Sequence, residues 1–558
     1  MTYDLLITNG TIVDGNGGPR LKADVAVQSG RIAALGDIDG GAATVVDATG
    51  KIVCPGFIDP HTHYDAQITW DRLLSSSAEH GVTTVVMGMC GVGIAPCRPS
   101  DREWVTDDLV TVEGIDKEVL VEGIKWEWET FPQYMDAAER RGSALNLAFL
   151  APITPLRTYV LGAEANERAA TPAETQTIAA MLGEAMQAGA WGFTTTASRQ
   201  HIGHGGKPLA ARLASREELG AYAAVLKRCE RGVIELALTK RYAELAEDEE
   251  DMLKFLLDAS ARPVTWLSLN NLTEKPGAIA AILDRIEPLI RRRCIPQILT
   301  RPLLFDMNLR RPFMFTEMLT AKPLFDATFE QQMAIYADAG FRAAFKEELK
   351  QGRKWATLAK NAIVVSVENP ALRQYEGSTV GRIAQERNQD PNDAFFDLAV
   401  ADNLEIKFVV PRANTDPAAL AEVLSDSRTL IGLSDAGAHL DMLCESGYTT
   451  YLLGHWVREE RALTLERAIQ RITSEPADFF GFKDRGRLCA GAAADIVIFD
   501  EDTVSSPLRP TPVKDLPAGG TRLYCKAEGI SQVIVNGQVL YRDGRHTGAL
   551  PGRVLRSS

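Results

Sequence analysis

Between residues 55 and 486, short apolar runs alternate with helix-patterned segments, and this alternation limits the chain most strongly. The runs are Gly56–Asp59, Thr83–Met87, Leu145–Phe149, Gly192–Thr196, Gly232–Leu236, Pro263–Leu267, Pro296–Thr300 and Thr429–Leu433. Eight short strands separated by helices predict an α/β fold, a (β/α)8 barrel with its chemistry at the C-terminal ends of the strands. The stretch 301–428 between the seventh and eighth runs is too long for one loop and one helix. It is expected to be an inserted, mainly helical lid, with helices over Phe329–Gln351 and Val380–Asp402. Both chain ends, 1–54 and 487–558, are instead β-branched runs broken by Asn-Gly and Ser-Gly turns, and they read as two halves of one β-sandwich.

Sixty basic against 74 acidic side chains leave a net charge of -14, which argues against nucleic acid or an anionic membrane as partner and for a small-molecule substrate. Apolar runs are cut well short of the roughly 18 residues of a membrane helix, and Met1–Ile7 lacks a basic n-region, so no signal peptide is expected. Eight scattered cysteines suit a cytoplasmic protein rather than a disulfide scaffold. A homo-oligomer is compatible with all of this.

Three segments carry chemistry, each at the end of an expected strand. In Asp59-Pro60-His61-Thr62-His63, residues i and i+2 of an extended backbone face one way, so His61 and His63 present two imidazoles together. With eight histidines in 558 residues, chance supplies about 0.1 such pairs. Cys90, in Met89-Cys90-Gly91, lies at the end of the second strand, where its side chain is either a metal-binding thiolate or a small buried apolar group. Asp435, in Ser434-Asp435-Ala436-Gly437-Ala438-His439, ends the eighth strand and is either a ligand and general base or a helix N-cap. His439, four residues on, is a ligand, substrate contact or outer partner. Further candidates for metal or substrate are His201 and His204 on the Gly-rich loop after strand four, and Arg301, which would clamp a substrate carboxylate or pair with a structural acid. The acidic run Glu247–Asp251 reads as a solvated helix start, and Trp126–Phe131 as packing at the start of another helix.

These pieces, with Pro55-Gly56-Phe57-Ile58-Asp59 before the histidines and Asp484–Leu488 and Ala494–Val497 near the end, resemble the amidohydrolase superfamily, and most closely its N-acyl-D-amino-acid deacylase (D-aminoacylase) family, over nearly the whole chain. The resemblance implies a zinc-dependent barrel capped by a β-sandwich that hydrolyses the amide of an N-acylated D-amino acid. It also implies that His61, His63, Cys90 and Asp435 are metal-site residues, with Asp435 the acid and base. The chain departs from the family in one respect. The family takes two further histidine ligands from strands five and six, whereas Val233–Lys240 and Val264–Asn271 contain none, and no histidine lies between His204 and His439. One zinc ion rather than two is therefore expected. The alternatives are an amidohydrolase of a cyclic amide or peptide-like substrate, and a metal-free binding protein on the same fold.

Overall fold

A computed structural model describes residues 2–315, 318–325, 327–350 and 357–558. The chain folds as two units, Met1–Arg301 with Asp416–Ser558, and Pro302–Thr415.

The first unit is α/β. Its central strands are β1 (Phe57–Asp59), β2 (Val82–Met87), β3 (Asn146–Phe149), β4 (Gly192–Thr196), β5 (Val233–Ala237), β6 (Val264–Leu267), β7 (Cys294–Ile298) and β8 (Leu430–Ile431). Neighbours pair in parallel from β1 to β3 and from β4 to β8. A two-residue extension of β3, Ala151–Pro152, pairs with β4. At the other end a single parallel bridge, Thr62 to Ala436, links the segments that follow β1 and β8. Every residue of β2, β4 and β5 is buried. Parallel strands covered on both faces are largely apolar or carry small hydroxyl side chains, which is why they read as short runs, and Glu235 in β5 is the charged exception.

Two details differ from the expected strands. β8 is only two residues long, because the backbone at Leu433 turns to φ 60° and leaves the extended region. Val554–Leu555, assigned above to the sandwich, instead pairs in parallel with Leu147 and Ala148 of β3. Trp191 Nε1 fixes this tail by donating to the Leu555 carbonyl at 2.7 Å.

Most of the remaining end segments form one nine-stranded sheet, while Thr511–Val513 and Arg522–Tyr524 pair with each other in a separate antiparallel sheet. Thr2–Ile12 pairs antiparallel with Leu21–Gln28; on its other side it runs parallel first to Gly41–Asp47 and then to Ile52–Pro55. Ile52–Pro55 in turn lies antiparallel to Ile496–Phe499, which joins the two chain ends. Leu5, Ile7, Val25, Val53, Ile496 and Ile534 belong to its separate buried core.

Among its described residues the second unit carries more helix than strand, as expected, and it also holds a three-stranded antiparallel sheet of Leu303–Met307, Lys407–Ala413 and Ile363–Ser366. It ends at Thr415, and Pro417–Ser425 is a helix of the first unit. Each expected long helix is broken by an aspartate cap. Phe329–Ala337 and Ala339–Leu349 are divided at Asp338, whose side chain accepts from the Phe341 N-H. Val380–Glu386 and Pro391–Ala401 are divided before Asp390, which caps the second helix. Gln351, the expected end of the first of these, lies outside the described residues.

The acidic run opens the helix Glu247–Ser260, and Glu249 accepts the N-H groups of Ala246 and Lys240, each at 2.7 Å. Trp128 packs at the start of helix Phe131–Arg141, its Nε1 donating to the Ile94 carbonyl. No helix among the described residues is long and apolar enough to cross a membrane.

Candidate metal centre

His61 and His63 follow β1 with Thr62 between them. Thr62 is engaged with β2, its N-H and Oγ1 both donating to the Val86 carbonyl at 3.0 and 2.8 Å. The strand pleat therefore turns both imidazoles to the opposite side, with ring centroids 5.3 Å apart. Cys90 lies in a tight turn after β2 with φ 57°. Its N-H donates to Glu235 Oε2 of β5 at 2.8 Å, and that of Gly91 to Thr194 Oγ1 of β4 at 3.0 Å. The turn needs glycine at 88, where φ is +84° and a Cβ would lie 2.2 Å from the Leu150 carbonyl oxygen.

These segments converge. One ligand atom from each of His61, His63 and Cys90 lies within 4.8 Å of the other two, and all three residues are buried. Cys90 Sγ is 3.6 Å from His61 Nε2. From the segment after β8, Asp435 Oδ1 lies 3.2 Å from His61 Nε2 and 3.8 Å from His63 Nε2. That segment is held under strain, with Leu433, Asp435 and His439 all at positive φ. Ser434 Oγ ties it to the His61 carbonyl at 3.0 Å, and the His63 N-H donates to the Ala436 carbonyl at 2.7 Å.

The electrostatics are those of a dry pocket rich in acids. Burial works to raise the Asp435 carboxyl, but its hydrogen bond to His61 and the nearby His61, His63 and His439 outweigh this and bring it down to about 2. For His61, burial is outweighed by Asp435, Glu235 and Asp59, so it is raised. His63 is pushed well below its ordinary value by burial and by His61. Burial lifts Asp59 and Glu235 each to about 7, and burial with the charges of Glu235, Asp435 and Glu113 holds the Cys90 thiol well above its usual range. Such a thiol is protonated until a cation displaces the proton. Two imidazoles, a thiol and an ionised carboxylate form a donor set suited to zinc, and their spacing fits a single ion.

His439 is partly buried and close enough for its charge to act on Asp435, and its backbone N-H donates to the Glu113 carbonyl at 2.5 Å. His201 Nδ1 bonds to Thr196 Oγ1 at 2.8 Å, near enough for its charge to act on His63. His204 lies apart from this group: its side chain is half exposed and its Nδ1 is 3.5 Å from Asp107 Oδ2. Of the two readings of Arg301, the structure gives the pairing with an acid. Its buried guanidinium sits 3.1 Å from Glu445 Oε2 and donates to the carbonyls of Pro507 and Leu508. Lys240 forms an ion pair with Asp248.

Sequence reasoning missed Glu113 and Glu235. Glu235 had a visible signal, since an acid in the middle of a fully buried parallel strand must have a partner. Glu113 ends the helix Arg102–Glu113, and its Oε1 lies 3.3 Å from His63 Nδ1.

Residues 44–541 match the amidohydrolase family. The D-aminoacylase of Alcaligenes xylosoxydans xylosoxydans is 30% identical over 559 residues, covering 99% of this chain and 97% of its own. The N-acyl-D-glutamate deacylase of the same organism is 28% identical, with 99% and 96% covered. Among solved structures, the N-acyl-D-glutamate deacylase of Bordetella bronchiseptica, in complex with zinc and a phosphonate mimic of the tetrahedral intermediate, is 26% identical; it aligns over all of both chains with a TM-score of 0.68. A match across nearly the whole chain, together with this buried site, places the protein in the amidohydrolase family as a D-aminoacylase-like hydrolase of carbon-nitrogen bonds other than peptide bonds.

Proposed function

We propose that the protein hydrolyses the amide bond of N-acyl-D-amino acids, using one zinc ion held by His61, His63, Cys90 and Asp435. The observation that carries this reading is the convergence of the His61, His63 and Cys90 donor atoms within 4.8 Å, with Asp435 against both imidazoles. The whole-length similarity to a D-aminoacylase and to an N-acyl-D-glutamate deacylase crystallised with zinc supports the substrate and the metal. The Thr62–Ala436 bridge supports the finer fold reading, an eight-stranded barrel closed between β8 and β1.

Zinc at these donors would polarise the scissile carbonyl and acidify a water molecule, together worth several kcal/mol at the transition state. The chain supplies the rest. Asp435, ionised at neutral pH, accepts the proton of the attacking water and passes it to the departing amine as the carbon-nitrogen bond breaks. His61 Nε2 lies 3.2 Å from Asp435 Oδ1, so the imidazole and the carboxylate would face the same ion. The test is a turnover profile over N-acyl-D-amino acids, their L-enantiomers, hydantoins and dipeptides, run with the wild type and Asp435→Asn. The expected result is preference for the N-acyl-D-amino acids and loss of turnover, by at least about 10²-fold, in the variant. Preference for hydantoins or dipeptides would move the substrate to a cyclic or peptide-like amide, and undiminished turnover in the variant would remove Asp435 from its role.

A further inference from the structure

We propose that Glu113 is a positioning residue for the metal centre: its carboxylate orients His63 with Nε2 toward the ion, and its backbone ties the loop carrying Asp435 to the same point. This rests on the metal-site reading above. A neutral imidazole has one N-H, and only the form with hydrogen on Nδ1 leaves a lone pair on Nε2 for a metal. His63 Nε2 is the atom directed toward Asp435 Oδ1, at 3.8 Å, and His63 Nδ1 faces Glu113 Oε1 at 3.3 Å. A carboxylate at Nδ1 is the acceptor that selects this form and increases the ligand's basicity. The two side chains are 6% and 3% exposed, so no bulk water competes for the contact.

The backbone of Glu113 does separate work. Its carbonyl accepts the His439 N-H at 2.5 Å, and the next residue, Gly114, takes φ 63° facing the same loop, where a Cβ would lie 3.5 Å from Met442 Cε and 3.7 Å from His439 Cα. His439 has positive φ, as does Asp435 four residues earlier. The end of one helix thus meets His63 through its side chain and the Asp435 loop through its main chain. A helix end that only filled space would not need an acid here, because burying a carboxyl is costly unless it has a partner.

The test uses the full chain and zinc alone as probe. Zinc affinity is measured by competition with a chromogenic chelator, and the geometry of the centre by the visible spectrum of the cobalt-substituted protein, for wild type, Glu113→Leu and Glu113→Gln. Glu113→Leu is expected to bind zinc about 10- to 100-fold more weakly, with an altered cobalt spectrum. Glu113→Gln keeps an oxygen acceptor without charge, and a severalfold loss is expected. If Glu113→Leu does not fold, Glu113→Gln decides the matter, since its size is unchanged. Wild-type zinc affinity and an unaltered cobalt spectrum in the variants overturn the proposal, as does lower metal-free stability with both readouts unmoved, which marks a purely structural role. Wild-type protein that takes up no zinc overturns the metal-site reading and this proposal together, and so is distinct from normal uptake with unaltered variants.

Discussion

Replacing Cys90 by alanine removes one of the four proposed donors and little else. The side chain is 5% exposed and Sγ is its only atom beyond Cβ, so the metal-free fold should lose only about 1 kcal/mol for the small cavity. The unusual backbone at φ 57° is held by main-chain N-H groups, from Cys90 to Glu235 and from Gly91 to Thr194, and these survive the substitution. The metal loss should be far larger. Zinc sites of four protein ligands are worth about 10–16 kcal/mol, hence roughly 2.5–4 kcal/mol per ligand, or two to three decades in affinity. Cys90→Ser, which keeps a weaker oxygen donor, should fall between alanine and wild type. The assay is chelator competition for zinc, with a thermal melt of the metal-free protein as control. Cys90→Ala with wild-type zinc affinity would show that the thiol is only a buried apolar group, and would reduce the donor set to His61, His63 and Asp435.

Three further outcomes follow from the same geometry. The Cys90 thiol is raised well above its ordinary value, so metal-free protein carries it protonated at neutral pH, and zinc must expel that proton; affinity should therefore rise about tenfold from about pH 7 to about pH 8, and equal affinities would contradict thiolate ligation. Gly437 has φ +95° and a Cβ there would lie 2.6 Å from the His63 carbonyl oxygen, so Gly437→Ala should cost more than about 1 kcal/mol of stability, lowering the thermal midpoint, and reduce turnover; a wild-type melt and rate would refute the strain argument. Glu218 is buried against Arg157 and also accepts from Tyr222 Oη and the Ala170 N-H, at 2.9 and 2.8 Å. Glu218→Ala leaves that arginine unpaired and should cost about 3–5 kcal/mol by denaturant unfolding, against under about 1 kcal/mol if the pair carries nothing.

The strands were legible because buried parallel strands are short apolar runs, and the His61–Thr62–His63 spacing was legible because a pleat has period two. β8 is shorter than the expected run Thr429–Leu433 because Gly432 and the left-handed backbone at Leu433 follow Ile431 directly. The caps at Asp338 and Asp390, the second just before Pro391, are local signals that predict both helix breaks in the second unit. The three-stranded sheet there depends on Leu303–Met307 meeting Lys407–Ala413 from the far end of the segment, a pairing that no local pattern encodes. Glu113 was illegible for the same reason. In Val112-Glu113-Gly114 it looks like an ordinary helix end, and only the fold brings it to His63, fifty residues earlier in the chain. Glu235 was open to discovery from its strand alone, and strand five reaches the site through that acid, which accepts the Cys90 N-H.

The donor cluster is tested most directly by elemental analysis of protein purified without added metal, paired with turnover before chelation, after chelation, and after zinc is returned. His61, His63, Cys90 and Asp435 acting together predict about one equivalent of zinc per chain, activity lost on chelation, and activity restored by zinc. A small fraction of an equivalent, with no activity gained on adding zinc, would contradict that prediction and leave a metal-free binding protein on the same fold.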